Sequence, residues 1–247
     1  MIRLIFIFFF SFLVLTSVDG VAQKAKTGVA SDSLMLPKVK PPRERLYLAG
    51  VRFGADITKL ALTGIDPDFV GAEVKFEVLI NNKFFIPIEY GISEITRTDD
   101  PKTFEYTTTG SYYRVGFDYC TLNKKSDDHA VNIGMRYAWN SFDNSVNYSR
   151  SDDYWGEFEN TVEEKGLSGS WVELVVGLKY MFLKNLYLGM DARLKFIGSV
   201  NGGNSIDVSE MPGFGVTLKN TRPELNYSIL YRIPFGKKKL TILKARE

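Results

Sequence analysis

Between Trp171 and Gly198 the chain reads WVELVVGLKYMFLKNLYLGMDARLKFIG, and its charges are sorted by parity. Before the LKN turn, Val172, Leu174, Val176, Leu178, Tyr180 and Phe182 are apolar, while Glu173 and Lys179 occupy alternate positions. After it, Leu186, Leu188, Met190, Ala192, Leu194 and Phe196 are apolar, and Asp191, Arg193 and Lys195 alternate with them. In a helix every second residue advances by about 200°, which would scatter these charges around the circumference. The stretch is therefore predicted to be a hairpin of two strands with one apolar and one charged face.

The same alternation recurs in six further segments. Tyr47–Thr58 sets Tyr47, Ala49, Val51, Phe53, Ala55 and Ile57 against Arg52 and Asp56. Ala72–Ile80 opposes its apolar face with Glu73, Lys75 and Glu77, and Phe84–Ser93 does so with Glu89. Tyr112–Thr121 carries Arg114 and Asp118, Val131–Trp139 carries Arg136, and Pro223–Phe235 carries Glu224 and Arg232. Eight strands of about nine to thirteen residues suit a tilted crossing of a bilayer better than the five or six residues usual in soluble sheets. The connections NNK and LKN are short and NKKSDDH is modest, whereas Asn140–Gly169 and Ser199–Thr221 are read as long loops. This layout predicts an all-β fold: an eight-stranded antiparallel transmembrane barrel of the outer-membrane kind over residues 47–236, with short periplasmic turns and long extracellular loops.

The polar face carries Asp56, Glu73, Glu77, Glu89, Asp118, Glu173, Asp191 and Glu224 against Arg52, Lys75, Arg114, Arg136, Lys179, Arg193, Lys195 and Arg232, a balanced set. The interior of an eight-stranded barrel is just wide enough for side chains, so these charges are expected to pair as a plug that excludes solutes. A Lys or Arg facing lipid at mid-depth costs roughly 2–4 kcal/mol, which accounts for the clean apolar face. A soluble barrel would reverse the two faces. Against that, the polar face is rich in glycine, and the apolar face carries more Phe, Tyr and Leu than a narrow lumen holds.

The N-terminus fits an exported protein. A basic MIR precedes the apolar LIFIFFFSFLVLTSV and the small residues of DGVA, which reads as a signal peptide over residues 1–22, cleaved after Ala22. Residues 23–46 read as a basic, Pro-containing disordered periplasmic linker and residues 237–247 as a basic periplasmic tail, able to attract anionic headgroups or an acidic partner. A formal charge of +2 gives no reason to expect nucleic acid, and the single Cys120 forms no intrachain disulfide.

The stretches GVRFGADITKLAL, YYRVGFDY, NIGMRYAW, WVELVVGLKYMFLKNLYLGMDARLKF, MPGFG and NYSILYRIPF resemble a Bacteroidetes family of small outer-membrane barrels catalogued as a domain of unknown function. The resemblance covers about residues 47–235. It implies an outer-membrane location and no catalytic residues, and it associates the chain loosely with accessory subunits of outer-membrane assembly machinery.

Chemistry-bearing motifs are few. His129, the only histidine, falls in a polar turn beside Asp127 and Asp128, which excludes a His-based triad and leaves a lipid-modifying enzyme as the weaker alternative. One His and one Cys do not build a zinc site, and Asp152, Asp153, Glu157, Glu159, Glu163 and Glu164 lack EF-hand spacing, so neither metal nor cofactor is expected. The aromatic and apolar side chains of the two long loops, Tyr148, Tyr154, Trp155, Phe158, Met211 and Phe214, are candidate anchors for a protein partner, or alternatively a cap over the lumen. The expected function is that of a non-enzymatic accessory barrel that contacts outer-membrane lipid and other envelope proteins. A small solute pore is the alternative.

Overall fold

A computed structural model describes residues 47–98, 104–122, 129–152, 156–202, 207–217 and 219–239. The signal peptide, the linker, Asp127, Asp128, Asp153, Tyr154, Trp155 and residues 240–247 of the tail lie outside the described residues.

The elements in order are β1 (Tyr47–Asp56), α1 (Ile57–Ile65), β2 (Phe69–Ile80), β3 (Phe84–Thr98), β4 (Phe104–Cys120), β5 (His129–Asp152), β6 (Gly156–Leu183), β7 (Leu186–Asn201), β8 (Glu210–Met211), β9 (Gly215–Val216) and β10 (Thr221–Lys239). Eight strands close a barrel in the order β1-β10-β7-β6-β5-β4-β3-β2, with β1 and β10 antiparallel across the seam. The short β8–β9 hairpin is a separate sheet. Asn81 and Asn82, with φ of 54° and 52°, make the tight β2–β3 turn in the left-handed conformation that asparagine tolerates.

Four expectations need correction. Six of the eight wall strands are longer than nine to thirteen residues, reaching 24 in β5 and 28 in β6, while β1 and β2 fall within that range. Asn140–Gly169 is accordingly no loop: β5 and β6 stay paired up to Asp152 and Gly156 as a tall ribbon. Backbone pairing continues above the apolar belt because it needs no apolar face, and inward Tyr106, Val146 and Val162 still pack there. The first strand stops at Asp56, whose carboxylate accepts the Lys59 N–H at 3.0 Å and caps α1. Finally, a bulge between Leu48 and Gly50 shifts the register, so Ala49 is buried and Tyr47 packs beside it, on the inner side rather than the outer.

Helix α1 stands in the barrel wall. β1 pairs with β2 up to Ala55–Val74 and with β10 up to Asp56–Ser228, yet β2 begins at Phe69 and β10 at Thr221. The helix covers the two edges left open. Thr63 Oγ1 accepts the Gly71 N–H at 2.8 Å and lies 2.9 Å from the Gly71 carbonyl, and Thr58 Oγ1 accepts the Tyr227 N–H at 2.7 Å. Its outward side chains Leu60, Leu62 and Ile65 are exposed.

The lumen is filled in three layers. At the short-turn end Ala49, Leu79, Phe85, Cys120 and Ala130 pack together. The charged side chains form the middle layer. At the long-loop end Tyr112, Ala138, Phe142, Leu167 and Trp171 meet Met211 and Phe214, which the segment bearing β8 and β9 inserts as a cap.

Candidate functional site

All sixteen charged residues read from the sequence are in the lumen, and most of them join one network of ion pairs, with Arg52, Glu77 and Lys179 as a second cluster toward the short-turn end. Glu89 is its hub: Arg193 donates to it at 2.8 and 3.1 Å, Arg114 at 3.1 Å, and Arg136 Nε lies 3.1 Å away. Glu73 accepts from Arg114 at 2.7 Å and from the Tyr112 hydroxyl at 2.6 Å. Glu173 lies 2.9 Å from Arg114 Nε and accepts the Trp171 indole N–H at 2.7 Å. Lys75 joins Asp191 at 3.1 Å and Asp56 at 3.6 Å, and Asp118 accepts from Asn132 at 2.8 Å and from Arg136 at 3.3 Å. Nearer the short-turn end, Glu77 pairs with Arg52 and Lys179, Arg232 donates to Asn82, and the Arg52 guanidinium is held between the Phe85 and Tyr187 rings at 4.7 and 4.9 Å. Each ion loses its water on burial, and this cost is offset here by several oppositely charged partners at once, as at Glu89 with three guanidiniums.

Sequence reading missed Lys59. Its ammonium enters the lumen from α1, 3.2 Å from Glu73, 3.7 Å from Glu224 and 4.9 Å from the centre of the Tyr112 ring. The local signals were Asp56 in front of ITKLALTGI as an N-cap and Pro67 just after it, which together mark a short helix. Also missed were the neutral members. Asn226 donates to Asp56 at 2.8 Å, and Asn140 donates to the Pro212 carbonyl at 2.9 Å.

The cap is locked from below. Lys195 donates to the Gly213 carbonyl at 2.6 Å and pairs with Glu224, while Arg114 donates to the Gly213 carbonyl at 3.0 Å. Gly213 has φ of +81°, and a Cβ there would come within 2.5 Å of the Tyr112 ring; one on Gly91 would come within 2.2 Å of the same ring. The missing side chains at both glycines make the slot for Tyr112. Met211 and Phe214, expected among the candidate partner anchors, are 0% and 1% exposed, and Phe214 meets the Trp171 ring edge-on at 5.8 Å. They belong to the cap.

Tyr148 and Phe158 lie on the ribbon and are exposed, Phe158 by 64%. Tyr148 packs against Phe104 at 5.4 Å. On the same ribbon Glu163 pairs with Lys165 at 2.8 Å, a bond that raises the ammonium pKa. His129 stacks on Tyr180 at 4.8 Å, at the short-turn end.

The outer wall carries an apolar band. Tyr90, Tyr113 and Trp139 form an aromatic row at its upper edge, with centroids 4.8 and 5.7 Å apart, and Phe84 stacks on Phe117 near the lower edge at 5.5 Å. Above that row the outward residues turn small or acidic: Ser111 pairs with Ser141, and Glu94 with Thr109. On β5 the band runs from Val131 to Trp139, which at about 3.4 Å per residue and a tilt near 40° spans roughly 20 Å, close to the height of a membrane barrel's belt. Among the described residues no helix is long and apolar enough to cross a membrane, a test that does not bear on strands.

A family model described as "Domain of unknown function (DUF6048)" matches residues 2–238. No match was found among curated proteins. Solved structures similar to this chain include CarO2 of Acinetobacter baumannii, at 14% identity and a TM-score of 0.38, covering 77% of this chain and all of that one. Neisserial surface protein A (NspA) has 14% identity and a TM-score of 0.36, covering 77% of this chain and 97% of its own.

Proposed function

We propose that this chain, which belongs to the DUF6048 family, is an outer-membrane barrel that serves as a non-enzymatic accessory subunit, binding other envelope proteins, outer-membrane assembly machinery among them. The observation that carries the reading is the sealed lumen. Apolar packing at each end encloses an ion network whose members are almost all buried, so the interior supports the wall and offers solutes no route. The apolar band with its aromatic edges favours a bilayer around the wall. Among the described residues the one histidine is spent on an aromatic stack far from the charged hub, which argues against base catalysis. Among the described residues the β5–β6 ribbon, with its exposed Tyr148 and Phe158, is available to a partner above the apolar band.

The test is affinity purification from gently solubilised membranes. The ribbon variant Tyr148→Ser/Phe158→Ser should keep the heat-modifiable gel migration of a folded barrel and lose a co-purifying envelope protein. Aromatic anchors are typically worth about 2 kcal/mol or more each, roughly thirtyfold in affinity. Retention of every partner by this variant, or steady solute-sized conductance of the wild type in planar bilayers, overturns the reading.

A further inference from the structure

The charges in the lumen do not balance once α1 is in place. The eight carboxylates and eight cations expected from parity are joined by Lys59, which brings no new carboxylate. At the top of β3, Arg97 brings its own partner, Glu210, at 3.2 Å. At the top of β10, Arg222 stands beside Lys195 in the register and has no ion pair or hydrogen bond among the described residues. One further carboxylate is close, that of Asp66 at the end of α1, and it already accepts the Asp68 N–H at 3.0 Å.

These groups converge. Lys59, Lys195 and Arg222 line a single pocket of about 280 Å³ behind α1, bounded on the inside by Phe214 of the cap. Four cations and three carboxylates, those of Asp66, Glu210 and Glu224, border it, so it keeps a net positive charge. The Arg222 guanidinium lies close over Gly215, where φ is +95° and a Cβ would come within 2.3 Å of it.

A second observation concerns hydrogen bonding. Three side chains of the pocket are more than nine-tenths buried, yet each has a polar atom with no hydrogen-bond partner among the described residues: Ser93 Oγ, Asn226 Oδ1 and Glu210 Oε2. Buried polar atoms of this kind are costly unless something bonds to them. Two of the three only accept. A bare anion would satisfy the guanidinium but not these acceptors, which require donors such as hydroxyls.

We propose that the pocket binds a hydroxylated anion, a sugar phosphate or a sugar acid. Its phosphate or carboxylate sits against Arg222, with Lys59 and Lys195 behind, and its hydroxyls donate to Asn226 and Glu210 and share a bond with Ser93. The volume, near the lower end of the roughly 300–1,000 Å³ of small-molecule pockets, limits the bound part to about one sugar unit. The ligand arrives either as a free solute or as the head of a lipid in the adjoining leaflet, and the proposal stands whether or not the ribbon binds a partner.

The test is isothermal titration of the full-length protein in detergent with glucose 6-phosphate and glucuronate, using glucose and inorganic phosphate as controls. Both hydroxylated anions should bind saturably at millimolar concentration, with each control about tenfold weaker or worse. Because Arg222 has no ion pair or hydrogen bond among the described residues, Arg222→Gln should fold normally and weaken binding about tenfold or more, with Arg222→Lys intermediate. Absence of saturable heat overturns the proposal, as does glucose or inorganic phosphate binding equally well, or an Arg222→Gln protein that binds like wild type. A second arm separates the sources: in nanodiscs, added lipid A that displaces glucose 6-phosphate identifies a lipid-borne head, and lipid A without effect identifies a free solute.

Discussion

Arg193 and Glu89 stand on diametrically opposed strands of the ring, β7 and β3, and meet across the lumen through two side-by-side hydrogen bonds of 2.8 and 3.1 Å. Because Arg114 and Arg136 also converge on Glu89, replacing Glu89 by Leu takes one carboxylate partner from each of three buried guanidiniums and leaves the lumen one negative charge short. Reversible unfolding in lipid vesicles should show a loss of about 3–5 kcal/mol, the usual result of breaking a buried ion pair from one side. A loss below about 1 kcal/mol, the range of exposed pairs, would mean that water reaches the network.

The two faces make opposite demands on adjacent residues. Leu194 faces outward and Lys195 inward. Leu194→Arg should cost roughly 2–4 kcal/mol in a bilayer and lower the inserted fraction. Lys195→Met should insert normally, but it leaves Arg114 as the remaining donor to the Gly213 carbonyl and Lys59 as the remaining partner of Glu224, and protease should then cut the cap segment faster. Equal insertion of both variants in a liposome folding assay contradicts the assigned orientation.

The seal has more than one layer. Met211→Ser with Phe214→Ser removes the apolar contacts of the cap, each core truncation of this kind costing about 2–5 kcal/mol locally. The charge layer and the packing of Leu79 and Phe85 remain beneath it. Planar bilayer recordings of this variant should therefore stay closed, and sustained conductance would locate the whole seal in the cap.

Thr63 ties α1 to the edge of β2. Thr63→Val deletes the hydroxyl that accepts the Gly71 N–H and should cost about 1–2 kcal/mol. Hydrogen exchange offers a local readout: the Gly71 amide should exchange about tenfold faster or more, while Val74, paired with β1, keeps its protection. A uniform change over both amides would show that the helix carries no separate part of the wall.

Parity is a local property, which is why the sixteen lumen charges were legible in the sequence. Each strand declares its inner face within a few residues, and no knowledge of its neighbours is needed. Which charge meets which was not legible, since Lys75 and Asp191 are 116 residues apart and are joined only by closure of the ring. Lys59 was hidden because the alternation of Phe53, Ala55 and Ile57 runs past Asp56, so the cap signal was read as one more strand residue. The upper ribbon was taken for a loop because serine, asparagine and glutamate give little contrast between faces once neither side meets lipid. The bulge at Leu48–Gly50 inverted Tyr47 and Ala49 in the same way that any one-residue slip does. For Met211 and Phe214 the sequence left cap and anchor equally open, and only the three-dimensional packing against Trp171 separates them.

The shortness of β1 also bears on how the molecule comes to exist. Every other junction in the wall joins neighbours in the chain except β7–β10 and β1–β10, and the latter links Tyr47 to Lys239 across nearly the whole sequence. Hairpins zip quickly, whereas a contact this distant waits for the last strand to be made and pays the entropy of the intervening chain. During biogenesis the growing sheet therefore presents two raw edges, β1 and β10, until the end, and β1 offers only ten residues to grip.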